Sequence, residues 1–176
     1  SREQGQAWVT KHPVQRLLAG VSGRTDDRRG LHTFAYYARN MQSMHPMSPL
    51  LSRPQHLVLE DGTVFPGIGI GAAGVAAGEA CFTTSMTGYE EAVTDPSYVA
   101  QVLTFAYPLI GTYGVDEIRM ESDHVQCEGV VMRDCRPEFA AWLKQKGVVA
   151  LAGVDTRTLV RRIRDGGVLR CALGDG

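Results

Sequence analysis

Residues 148–154 read VVALAGV, a nearly unbroken apolar run of strand length. A strand with one wet face alternates apolar and polar residues, whereas a strand that is apolar throughout has to be covered on both faces. This run therefore demands packing on two sides of a sheet. Helical signals flank it. Pro137 suits a first helical turn, and Phe139, Ala140, Trp142 and Leu143 form an apolar stripe. Lys144 and Lys146 stand near the C-terminal end and Gly147 is a stop, so a helix is predicted over 137–146. Beyond the run, Asp155 is the N-cap expected for a helix over 156–165. Leu159, Val160 and Ile163 face inward there, with Arg157, Arg161, Arg162 and Arg164 outside. Gly166-Gly167 ends this helix, and 168–173 reads as a last strand. The order helix–strand–helix–strand predicts an α/β fold with helices on one face of a sheet.

Upstream the signals are mostly strand. Residues 56–60 are a short apolar run, Asp61-Gly62 is a hairpin turn signal, and 63–70 is a second strand in which Pro66 marks an edge or a bulge. Gly67, Gly69, Gly71 and Gly74 imitate a nucleotide-binding fingerprint. No amphipathic helix follows them, and 79–84 looks like a strand, so turns and tight strand packing account for the glycines. Residues 89–94 fit a helical turn stopped by Asp95-Pro96. Residues 101–107 and 125–133 read as strands, 111–114 as a turn, and 115–124 as an exposed polar connection. The strands before residue 137 predict a second, antiparallel layer.

Charge divides the chain. Residues 1–54 carry eight Lys/Arg and three Asp/Glu, whereas 55–176 carry ten and sixteen. Pro13, Gly20, Gly23, Gly30, Pro46, Pro49 and Pro54 interrupt the first part, and a short helix over 32–41 is its one structural signal. We read 1–54 as a basic leader, disordered or loosely packed, and 55–176 as the folded domain. A basic arm can meet nucleic acid or an acidic surface, but a simple leader is the reading adopted, with no nucleic-acid partner. No apolar run approaches the roughly 20 residues of a membrane span, so no membrane partner is expected. Cys81, Cys127, Cys135 and Cys171 form no C-x-x-C pair. Cys81 and Cys127 lie in apolar runs as buried thiols, and a reducing, cytoplasmic setting is expected.

A nucleophile is missing. No cysteine or serine has the glycine-flanked frame of a nucleophile elbow. The histidines are His12, His32, His45, His56 and His124, without metal-ligand spacing. Catalytic and metal-binding residues are therefore expected to be absent. The remaining candidate is 83–98, TTSMTGYEEAVTDPSY, with eight hydroxyl side chains. Ser97 follows Asp95-Pro96, and its hydroxyl can donate and accept toward a polar ligand such as an amino acid. It can equally be a serine that closes an Asp-Pro turn. Glu90 and Glu91 are adjacent, do not face each other on a helix, and are read as a solvated face.

Five blocks carry a resemblance: LEDGTVFPGIGIG, GEACFTTSMTGYEEAVTDPSY, VLTFAYPLIGTYGV, GVVMRDC and GVDTRTLVRRIRDGG. Across about residues 57–173 the chain resembles the N-terminal domain of the small, glutamine-hydrolysing subunit of carbamoyl-phosphate synthase. The resemblance implies a swivelling fold of three layers: a parallel sheet, an antiparallel sheet and helices. It implies that the whole protein releases ammonia from L-glutamine. A large subunit then uses that ammonia with bicarbonate and ATP to make carbamoyl phosphate for pyrimidine and arginine synthesis. ATP and Mg are expected on the large subunit, with no cofactor in this chain. The family's catalytic Cys, His and Glu lie in a C-terminal class I amidotransferase domain beyond this segment, so the chain alone is expected to be inactive. By motif match Ser97 is the implied glutamine contact, with Ser85, Thr87 and Tyr89 shaping the same wall. Implied partners are the large subunit and the amidotransferase domain. The second reading is a free-standing, non-catalytic interaction module using the arginine face of 156–165.

Overall fold

Asp61-Gly62 turns the chain as its sequence predicts. Gly62 takes φ 85°, and an Asp61 carboxylate oxygen accepts the Thr63 N–H at 2.8 Å. β1 (Arg53–Leu59) thereby folds back on β2 (Val64–Gly69) as an antiparallel hairpin. The computed structural model of the chain describes residues 53–174. Most of the basic leader, the helix expected over 32–41, and His12, His32 and His45 lie outside the described residues.

After the hairpin come β3 (Val75–Thr83), α1 (Tyr89–Thr94), a 3-10 turn (Pro96–Tyr98), β4 (Gln101–Phe105) and β5 (Leu109–Ile110). A second 3-10 turn (Glu117–Arg119), β6 (Gly129–Val131), β7 (Asp134–Cys135) and α2 (Pro137–Gln145) follow. β8 (Val149–Ala152), α3 (Thr156–Gly166) and β9 (Arg170–Gly174) complete the order. Seven strands close into a barrel in the order β1-β2-β8-β6-β4-β3-β9, with β9 returning to β1. Both expected kinds of pairing are present, as two arcs of one ring. β8, β6, β4 and β3 run parallel, and the links through β9, β1 and β2 are antiparallel. The fold is α/β.

β8 meets the demand its sequence makes. Ala150 and Ala152 join a core with Phe139, Trp142 and Leu143 of α2, whereas Val149 and Leu151 join a second core with Leu159 and Ile163 of α3. The alternation of a strand divides the run between two faces. The expectation of helices on one face is therefore corrected: α1 and α2 bury into one core and α3 into the other. Small alanines leave room for the aromatic stripe of α2. Asp155 caps α3 as predicted, accepting the Thr158 N–H at 3.1 Å. Its inward Leu159 and Ile163 each contribute about 1.5–3 kcal/mol by leaving water.

The glycine cluster is explained by close packing. A Cβ at Gly67 would sit 2.6 Å from the Ala152 carbonyl oxygen, and one at Gly71 would overlap the Val148 carbonyl. Pro66 pairs with His56 of β1, while β8 reaches only Ile68 and Gly69, so among the described residues Pro66 stands on a one-sided stretch of β2. Two expectations change. The strand predicted over 125–133 is only Gly129–Val131, and β5 and β7 form a parallel pair of two residues each. A two-residue pairing carries no periodicity, so its sequence is silent.

Candidate functional site

α1 begins where Gly88 takes the left-handed conformation, φ 77°, and ends where Asp95 turns extended, φ −71° and ψ 122°, as a residue before proline must. Asp95 then builds the next turn. Its carboxylate accepts the Ser97 N–H at 2.8 Å, and its carbonyl accepts the Tyr98 N–H at 3.1 Å. The Ser97 hydroxyl is left exposed on this turn. Tyr98 packs against the α1–α2 core, and burial pushes its phenol up, opposed by a hydrogen bond with Thr83. Two residues later Ala100 takes φ 62°, strain of about 1 kcal/mol, while its carbonyl accepts the Glu79 N–H at 3.0 Å. Ser97 thus sits on an exposed corner with fixed ends.

The other end of α1 is anchored by aromatics. Tyr89 is fully buried, edge-on to Phe105 and Phe139 at 5.9 Å each, and stacked on Tyr113 at 4.9 Å. Its hydroxyl donates to the Met86 carbonyl at 2.8 Å. The Tyr113 hydroxyl accepts the N–H groups of Gly88 and Tyr89 at 2.6 and 3.1 Å and lies 3.3 Å from the Glu90 carboxylate. Thr83 and Ser85 bond each other at 3.2 Å, while Thr87 is exposed.

Glu90 corrects the sequence reading. It is fully buried rather than solvated, and Glu91 is half-buried. The signal was the spacing: Glu90 stands three and four residues before Val93 and Thr94, so all three share the inward face of α1.

None of the four thiols is poised to attack. Cys127, Cys135 and Cys171 are buried and free, and Cys81 is half-buried rather than buried, its thiol donating to the Val102 carbonyl at 3.6 Å. Loss of hydration on burial pushes all four up to about 12, so thiolate is scarce near neutral pH. Among the described residues no three His, Cys, Asp or Glu are grouped to hold a metal ion. No described helix is long and apolar enough to cross a membrane. The arrangement can present exposed hydroxyls to a polar ligand, with Ser97 the one that stands on a corner with fixed ends.

Known proteins share this segment. The family described as "Carbamoyl-phosphate synthase small chain, CPSase domain" matches residues 57–173. The carbamoyl phosphate synthase small chain of Halobacterium salinarum is 53% identical over 121 residues, 69% of this chain and 34% of that protein. Those of Parasynechococcus marenigrum and Thermoplasma acidophilum are 46% and 47% identical, over 67% and 69% of this chain and 33% and 37% of their own lengths. The chain spans about a third of the length of these curated relatives. The matched residues run from β1 into β9 and include the whole Ser97 turn. The chain belongs to the carbamoyl-phosphate synthase small-chain family.

Proposed function

We propose that residues 55–176 form the N-terminal domain of a glutamine-hydrolysing small subunit and supply one wall of its glutamine pocket, with Ser97 as the contact. The two arcs of the barrel and its helices are read as the layers of the swivelling fold. In this reading the domain packs on the amidotransferase domain and on a large subunit, in the cytoplasm. The large subunit binds ATP and Mg and uses the released ammonia to make carbamoyl phosphate for pyrimidine and arginine synthesis. The domain alone is without glutaminase activity, since its thiols are held protonated by burial.

One observation carries the reading. The Ser97 hydroxyl is exposed and makes no hydrogen bond within the described residues, although its backbone is fixed by Asp95. The Asp95 carboxylate and carbonyl close the turn through backbone N–H groups, so the serine hydroxyl is not spent on closing it. The competing module reading loses ground because two of the four arginines on α3 are engaged: Arg162 with Asp61 at 2.8 Å and Arg164 with Asp165 at 2.9 Å.

The test is Ser97→Ala in the full-length enzyme with its large subunit. The KM for glutamine should rise about three- to tenfold, the worth of one hydrogen bond. Synthesis driven by added ammonia should be unchanged. An unaltered KM would remove Ser97 from the pocket.

A further inference from the structure

Ser97 stands three residues beyond Thr94, and Thr94 is where a second loop grips α1. Its side chain is fully buried. The hydroxyl donates to the Glu90 carbonyl at 2.7 Å and accepts the Glu121 N–H at 2.9 Å. The Thr94 carbonyl accepts the Ser122 hydroxyl at 2.5 Å, and the Val93 carbonyl accepts the Gln126 N–H at 2.9 Å. The Gln126 side chain donates to the Ser122 hydroxyl at 2.9 Å and so fixes that donor in turn.

Three bonds from residues 121–126 therefore fall on the last turn of α1. A helix of six residues closes few bonds of its own, and its last carbonyls have no partner within it. The loop supplies those partners. The Asp95-Pro96-Ser97 turn is bonded within itself and is held on its far side by Tyr98 and the Ala100 carbonyl, so on its near side the direction in which it points is set by the residue it leaves, Thr94.

We infer that Thr94 and Ser122 are positioning residues for the substrate contact: the 121–126 loop clasps the end of α1 and thereby aims the Ser97 hydroxyl at the amide substrate. The inference rests on the reading of Ser97 as a glutamine contact. The Thr94 hydroxyl works as donor and acceptor at once. Valine has nearly the same shape and can do neither, whereas serine can do both. Ser122 needs its hydroxyl as the donor to the Thr94 carbonyl.

The test compares Thr94→Val, Thr94→Ser, Ser122→Ala and Ser97→Ala in the full-length enzyme with its large subunit, following glutamine-driven and ammonia-driven synthesis. Thr94→Val and Ser122→Ala should each raise the KM for glutamine about three- to tenfold. Ammonia-driven kcat should stay at its original value, and Thr94→Ser should restore the KM. Ser122→Ala lies on a partly exposed loop and tests the clasp even where Thr94→Val fails to fold. A raised KM for Ser97→Ala with an unchanged KM for Ser122→Ala and Thr94→Val would overturn the clasp alone. Equal loss of both activities in the two variants would overturn it in favour of a general role in folding. An unchanged KM for Ser97→Ala would overturn the glutamine reading, and the clasp with it.

Discussion

Glu90 lies fully buried on α1, and its carboxylate accepts the backbone N–H of Asp116 at 2.9 Å. Its second oxygen faces the Tyr113 hydroxyl, which also receives the N–H groups at the start of α1. The loop after β5 is thus bound to α1 through one acid and one phenol.

Glu90→Ala should therefore loosen both elements. It strands the Asp116 N–H and opens space beside Tyr113, a loss of about 1–3 kcal/mol. Urea unfolding followed by circular dichroism should show a lower midpoint. An unchanged midpoint would mean that the loop is held without this acid.

Thiol chemistry offers an independent check on burial. With all four thiols pushed up to about 12, a thiol reagent should label the native protein slowly near neutral pH, and labelling should accelerate in denaturant. Cys81, the half-buried one, should react first. Fast native labelling of Cys127 or Cys171 would contradict the packing described for them.

Acid should release α2 from the second 3-10 turn. Glu117 accepts Lys146 Nζ at 2.8 Å and Trp142 Nε1 at 3.0 Å, and these bonds hold its carboxyl below the ordinary range. A depressed folded value gives a contribution that is full above the unfolded pKa of about 4.3 and lost as pH falls through the lower folded value. Trp142 fluorescence in a Trp8→Phe background should thus be flat at pH 5 and above and change only in more acid solution. Glu117→Gln should abolish that step, and a step that survives would belong to another group.

Much of the fold was legible because its signals are local. Asp61-Gly62, Asp95-Pro96, Asp155 and Gly147 mark turns and caps through their own backbone preferences. The apolar run around β8 announced two covered faces. Its sequence could not say that α2 and α3 divide them, since that depends on which strand partners each face meets. Glu90 was misread because its charge outweighed its position, although its spacing to Val93 and Thr94 was visible. The Ser97 turn was readable, but the grip of Glu121, Ser122 and Gln126 on α1 joins residues far apart in the chain, and no periodicity records it.

The ladders that close the barrel are unequal. β1 and β2 share six residue pairs, whereas β2 meets β8 through two, Ile68 with Ala152 and Gly69 with Leu151, continued by backbone bonds from Ile70 and Gly71 to the Ala150 carbonyl and from Ala72 to that of Val148. A ring opens first where its fewest bonds lie. The β1–β2 hairpin is fastened to β8 through 68–72 and to β9 on its far side, and amide protons on the part of this seam that β8 does not pair, residues 64–67, should therefore exchange with solvent before those of 68–72. On the opposite side of the ring, the five-pair junction of β3 and β4 carries the chain through the Ser97 corner. The molecule can breathe at its seam while that corner stays still.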